Sequence, residues 1–277
     1  MSTVQMLTLA GNELRVGFRN RWVITAISIL TIFAVVLALA GSAPTGSTAI
    51  DPLTVLTVSL ISLSVYVVPL LALLLAFDAF AGERERGTLS LLLTYPIGRH
   101  AIVLGKFVGH SVILGCAIVI GFGVAAGLVL LDSDAGLAGF AALARLAASA
   151  LLLGMTFLAI GYVLSAVARQ TATAAALAIG LWLGMVVLFD LALLSALVAD
   201  NGGVFTQQVF PWLLIGNPAD GFRLFNMASL PNDDYAIGHA FTRSDAGTTP
   251  AIALAILVAW AGAALLLAVN RIRKIEP

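Results

Sequence analysis

Charged side chains are rare in this sequence. Asp, Glu, Lys and Arg together supply 10% of 277 residues against 61% hydrophobic, and the mean hydropathy is +1.07. A soluble domain is about a quarter charged, so a water-soluble globule is excluded and an integral membrane protein is implied. Cysteine occurs once, as Cys116 within an apolar run, which excludes a disulfide framework and a thiolate metal site. The three histidines (His100, His110 and His239) are scattered, and Met155 and Met185 stand singly. Soft-metal sites need such ligands in clusters, so no metal site is expected. Gly105-Lys106 has the look of a phosphate-binding loop, but His100 stands where its first glycine belongs and Phe107 where its hydroxyl belongs. The chain is therefore expected to hold no ATP site and no cofactor of its own. Ser149, Thr156 and Ser165 have no histidine at matching depth, which argues against an intramembrane hydrolase, and no catalytic residue is assigned. A basic face interleaved with aromatics is missing as well, which excludes nucleic acid as a partner.

What the sequence does contain is long apolar runs. A membrane span needs roughly 20 such residues, and six stretches qualify: 22–41, 53–77, 107–131, 143–167, 171–198 and 251–270. Their leucine- and alanine-rich continuity suits helices, whereas barrel strands would alternate over about ten residues. Basic residues set the orientation. With the N-terminus inside, eleven of the fourteen Lys and Arg fall inside, and only Arg145, Arg223 and Arg243 fall outside. Eight acids, from Asp51 to Asp245, fall outside, so the zero net charge conceals a strong asymmetry. Both termini are expected to be cytoplasmic. The fold class is an all-α integral membrane protein, a single domain over 1–277 with six transmembrane helices. Ala38-Leu39-Ala40 has the small-x-small form of a signal-peptidase site, but the apolar run before it is too long for a signal peptide, and residues 1–40 are expected to be retained.

Four stretches stand out between and within the spans. Residues 1–20 set Val4, Leu7, Leu14 and Phe18 beside Glu13, Arg15 and Arg19, the pattern of an interfacial helix in contact with membrane lipid. Residues 83–94 open with Glu83-Arg84-Glu85-Arg86 and continue with Leu89, Leu92 and Leu93 at helical spacing up to Pro96. This predicts a short amphipathic helix on the cytoplasmic surface between spans 2 and 3, where a soluble partner can push on it. Asp190 is the sole acid deep in a span, and it is either paired structurally, with Arg145 at a compatible depth, or used for substrate or proton handling. Residues 201–249 form the one sizeable extramembrane segment. Its first half is aromatic and broken by Pro211 and Asn217-Pro218, predicting short helices in or near the outer leaflet, and its second half is a polar loop with Asp233, Asp234, Arg243 and Asp245. Glycine pairs four apart occur at Gly105/Gly109, Gly123/Gly127 and Gly180/Gly184. Such pairs permit close helix approach, within one subunit or across a dimer seam.

Taken together, GERERGTL, LLLTYP and LGKF between spans 2 and 3, behind an N-terminal helix and with six spans, resemble the ABC-2-type permeases over essentially the whole chain. More narrowly, LLLTYPIGR, IVLGKFVGH, VLFDLALL around Asp190 and NPADGFRLFN at 217–226 resemble the permease subfamily of the transporter that matures the copper sites of nitrous oxide reductase. The resemblance implies a homodimeric permease in a bacterial inner membrane. It implies a cytoplasmic ABC ATPase that supplies ATP and Mg, and a periplasmic partner protein. The ATPase contact would fall on Glu83, Arg84, Glu85, Arg86, Gly87 and Thr88, making 83–94 a coupling helix. The outer partner would meet Phe205, Phe210, Trp212, Phe222 and Phe225 in the 201–249 segment. The lack of clustered soft ligands argues against conduction of copper ions. That leaves passage of a small, sulfur-containing species across the dimer axis, or transmission of ATP-driven motion to the outer partner with release of copper there, and mechanical transmission is favoured. The alternatives are an ABC-2 exporter of a lipid or drug-like substrate, and an ion-coupled carrier using Asp190.

Overall fold

The computed structural model describes residues 3–41, 52–95, 97–132, 137–200, 202–228 and 249–274, and among these every regular element is helical. Helix α1 (Thr3–Arg19) breaks only at Asn20 before α2 (Arg21–Gly41). Next come α3 (Pro52–Ala76), the short α4 (Asp78–Glu85) and α5 (Thr88–Thr94), then the long α6 (Arg99–Asp132) and α7 (Leu137–Val167). Helix α8 (Thr171–Trp182) widens into a π-helical turn at Leu183–Leu188 and continues as α9 (Phe189–Asp200). A second π-helical turn, Phe205–Val209, leads into α10 (Phe210–Gly216) and α11 (Pro218–Met227), and α12 spans Pro250–Arg273.

Among the described residues, six helical stretches are long and apolar enough to cross a membrane: Val23–Ala40, Leu53–Glu85, Arg99–Leu131, Gly139–Val167, Thr171–Asp200 and Pro250–Arg273. The expected all-α class and six spans are present. Span 3 begins at Arg99 rather than 107, which brings Lys106 inside a helix. The loop expected to carry Asp233, Asp234, Arg243 and Asp245 lies outside the described residues, as does His239.

Helix α7 is the most enclosed span, with α3 beside it, while α2 and the α8–α9 span leave most of their surface open. Lipid tails are as apolar as leucine, so exposed leucines gain nothing by meeting one another, and close approach depends on small residues. The seam between α1 and α6 shows this. A Cβ added at Gly105 would stand 2.8 Å from Leu9 Cβ, and one at Gly109 would stand 2.7 Å from Glu13 Cβ. The first glycine pair is therefore spent within the subunit, whereas Gly123, Gly127, Gly180 and Gly184 have no atom within 4 Å of an added Cβ. Helix α7 sits on α3 in the same way, Gly161 facing Ala76 and Leu73. Pro69 lies inside α3 without ending it. Nearby, Trp182 Nε1 of α8 donates to Tyr66 O at 2.9 Å, fastening the two helices.

The single helix expected over 83–94 is two helices. Gly87 adopts φ 72°, a left-handed conformation that costs glycine nothing. The Arg86 N–H then closes on Gly82 O (3.0 Å) and the Gly87 N–H on Arg84 O (3.1 Å), ending α4. Helix α5 restarts at Thr88, whose hydroxyl donates back to Glu83 O at 3.1 Å, and Leu89, fully buried, anchors it. Tyr95 is extended, the conformation that a following proline favours, and α5 stops there.

Candidate functional site

The α4–α5 elbow is held from within by the charges that the sequence presents as an outer face. A helix ends with carbonyls that lack partners and begins with N–H groups that lack them. At the turn between α7 and α8 both kinds are met by α4. Arg84 donates to Ala168 O (2.9 Å) and Ala166 O (3.4 Å) at the end of α7. Glu85 accepts from the Thr171 N–H (2.9 Å) and hydroxyl (2.6 Å) at the start of α8, where a carboxylate also suits the helix dipole. Ser165, fully buried, accepts from the Phe80 and Ala81 N–H groups (both 3.0 Å) and donates to Phe77 O at 2.7 Å.

Glu83 turns further inward. Its Oε1 accepts from Lys106 Nζ at 2.7 Å, and the same ammonium donates to Glu13 Oε1 at 2.6 Å. The Lys106 side chain is 4% exposed, so α1, α4 and α6 meet on one buried cation. Glu13 Oε2 lies 3.5 Å from His110 Nε2, and His110 Nδ1 lies 2.8 Å from the Tyr162 hydroxyl of α7. With the hydrogen assigned to Nε2, facing Glu13, Nδ1 accepts from Tyr162. Burial alone would raise the Glu13 carboxyl, but hydrogen bonds and charge from His110 and Lys106 overcome it and hold the group at about 2. Of the six residues expected to form the ATPase contact, Glu83, Arg84 and Glu85 thus have their charged groups engaged within the chain. Arg86, Gly87 and Thr88 are exposed, and Ser90, Leu91, Thr94 and Tyr95 extend that outward surface. Leu91 and Tyr95, each 64% exposed, are its apolar points.

At the opposite end, the α8–α11 region corrects the expected pairing of Asp190. Its partner is Arg223 of α11, with Nη2 3.2 Å from Asp190 Oδ2, rather than Arg145. The physical cause is that α11 folds back onto the bundle instead of lying clear of it. Asn217 caps α11 by accepting from the Ala219 N–H at 2.9 Å, with Pro218 at the first helical position. The Asn217 amide also donates to Met185 O (2.7 Å) in the π-helical turn. Asn226 donates to Ser149 Oγ of α7 at 2.9 Å, and Trp260 of α12 donates to Gly216 O at 2.9 Å. Arg223 Nη1 lies 3.3 Å from Asp220 Oδ1, so one guanidinium spans two carboxyl groups.

This docking also revises the outer aromatic surface. Phe222 and Phe210 are buried against the bundle, Phe205 and Phe225 are half-buried, and Trp212 alone of the five is exposed, at 52%. Aromatic content marked the segment, but the amphipathic face of α11 turns Phe222 inward.

A family model for the ABC-2 family transporter protein matches residues 7–273. The chain belongs to that family. It is similar to the probable ABC transporter permease protein NosY of Stutzerimonas stutzeri, at 42% identity over 273 residues, covering 98% of each chain. It is equally similar to the protein of the same name from Pseudomonas aeruginosa, at 42% identity over 271 residues, covering 96% of this chain and 97% of the relative. The chain is the permease subunit of an ABC transporter, a multi-pass membrane protein whose family places ATP hydrolysis on a partner subunit.

In this permease the charged residues that matter most were not all visible at first. Lys106 and His110 lie four apart and so share one face of α6, beside the glycine pair that admits α1. That coincidence is the signal that could have marked an inward-facing charge site. Asp220 and Arg223 carried no comparable mark, because a charged pair three apart on a short helix is ordinarily a solvated face. Among the described residues no group of three or more His, Cys, Asp or Glu is placed to hold a metal ion.

Proposed function

We propose that this permease couples the ATP hydrolysis of a cytoplasmic partner ATPase to movement across a bacterial inner membrane, and that its transporter serves copper-site maturation of nitrous oxide reductase. The likeness to proteins named NosY over nearly the full length supports the assignment within the family. One observation carries the coupling role. The α4–α5 elbow is braced on its inner side to α1, α6, α7 and α8, and its outer side is bare, with Leu91 and Tyr95 projecting. An element of this kind passes a push at its surface to several helices at once. ATP and Mg act on the ATPase, which must grip the elbow differently in its two states, because a ligand shifts an equilibrium only by its differential affinity.

Two copies of the permease would pair, with both termini cytoplasmic. On the other side a periplasmic partner would meet the α10 surface around Trp212. Mechanical transmission to that partner is favoured over conduction of copper, since the described polar clusters are carboxylate, ammonium and guanidinium groups rather than soft ligands. The test is co-purification from native membranes with a double variant, Leu91→Asp with Tyr95→Ala. The expected result is loss of the ATPase while the permease keeps its yield and thermal midpoint. An ATPase that still co-purifies at wild-type level would refute the docking surface.

A further inference from the structure

We infer that Asp190, Asp220 and Arg223 form a proton-binding site at the α11 end of the bundle, in which the Asp220 carboxyl carries a dissociable proton. Asp220 is buried to 2% exposure, deeper than Asp190 or Arg223, whose side chains are 27% and 28% exposed. Arg223 Nη1 satisfies Asp220 Oδ1 at 3.3 Å, but Asp220 Oδ2 is buried with no hydrogen-bond partner among the described residues. A buried carboxylate oxygen without a donor is costly, whereas a protonated oxygen becomes a donor itself. The neighbouring acceptor is the Asp190 carboxylate, which lines the same cavity of about 280 Å³ with Asp220, Arg223, Leu193, Phe210 and Leu224. The leucines and the phenylalanine make the surroundings apolar.

The charge balance points the same way. Two ionised carboxylates on one guanidinium leave a net charge of −1 among apolar side chains, and one proton brings the cluster to neutrality. Among the described residues, the elements packed on α11 bring no further cation that acts on Asp220. Helix α3 has Tyr66 as its one titratable side chain, α10 has none, and the arginines of α12, Arg271 and Arg273, lie at its far end. Helix α7 carries Arg145 and Tyr162, but the groups that act on Asp220 are Asp190 and Arg223. Burial, reinforced by the Asp190 charge and only partly offset by Arg223, raises the Asp220 carboxyl to about 8. The proton leaves through the cavity as the carboxylic acid becomes a carboxylate. Because Asp220 sits on α11 and Asp190 on the membrane span, proton loss weakens the hold of the outer segment on that span.

Infrared difference spectroscopy of the purified full-length permease, taken on raising the pH from about 6 to about 10, tests this directly. The expected result is a carboxylic-acid carbonyl band that disappears through about pH 8 and is absent from Asp220→Asn. Asp190→Asn removes the repelling charge, so the band should persist but vanish at least one pH unit lower, a tenfold loss of proton affinity. No titrating band in the wild type, a band unchanged in Asp220→Asn, or a midpoint unmoved in Asp190→Asn would each overturn the assignment. If Asp220→Asn does not fold, the Asp190→Asn shift alone decides.

Discussion

Replacing Lys106 with methionine is the sharpest test of how the elbow is held. Methionine keeps much of the side-chain length and volume, so the change removes charge and donors rather than opening a cavity. It leaves Glu13 and Glu83 facing each other without the ammonium that now lies 2.6 and 2.7 Å from their oxygens. Removing one partner of a buried ion pair costs about 3–5 kcal/mol, because the remaining charge is stranded. The two carboxylate side chains are 15% and 21% exposed, so water relieves part of this and the low end applies, about 3 kcal/mol. On the scale of soluble domains that lowers the thermal midpoint by roughly 6–12 °C, measurable by tryptophan fluorescence of the purified chain. The triple variant Lys106→Met, Glu13→Gln, Glu83→Gln should regain most of the loss, since a neutral buried cluster is often nearly as stable as the ionic one. A single variant whose midpoint stays within about 2 °C of wild type would refute the claim that this cation joins α1, α4 and α6. So would a triple variant no more stable than the single one.

The Glu13 carboxyl is held at about 2 against an ordinary 4.5. A depressed acid contributes its full stabilisation above the unfolded value and loses it as pH falls through the folded value. The stability of wild type, followed through its thermal midpoint, should therefore fall relative to Glu13→Gln between about pH 4.5 and about 2, by at most about 3 kcal/mol, and two parallel curves would count against the cluster. Gly109→Ala should destabilise by about 1–3 kcal/mol, because its Cβ would stand 3.0 Å from Ala10 O as well as against Glu13, while Gly127→Ala should be neutral or slightly stabilising in the isolated subunit. Equal midpoints for the two alanine variants would refute the α1–α6 seam.

The spans were legible because a run of twenty apolar residues has few other uses, and the short helices of the outer segment were legible from Pro211 and Asn217-Pro218. The elbow was legible as an element but not in its orientation. Four charges in a row look like a solvated face, and nothing local to 83–86 says that Arg84 and Glu85 answer the needs of helix ends at 166–171, more than eighty residues away, or that Glu83 turns in to Lys106. Gly87 was the one local hint that a single helix could not run from 83 to 94. Pairing Asp190 with Arg145 rested on depth alone, and depth leaves the rotational position around the helix open.

That missing rotation is supplied by the π-helical turn at Leu183–Leu188. There the Phe189 N–H reaches back five residues to Gly184 O instead of four. A π-turn inserts one extra residue into the helix, and each residue of an α-helix turns it by about 100°. Every side chain beyond the turn is therefore swung about 100° from where the phase of α8 would put it, Asp190 among them. The widened turn also leaves Met185 O to accept from Asn217, the residue that caps α11 and sets where Arg223 lies. One local irregularity thus aims the carboxyl group and seats the helix that brings its cation. Such turns are set by tertiary partners as much as by local sequence, and LGMVVL, apolar and without proline, carries no mark of one. The pair could be read from the sequence only as an acid in need of a partner, because the geometry that chooses the partner arises when the outer segment docks.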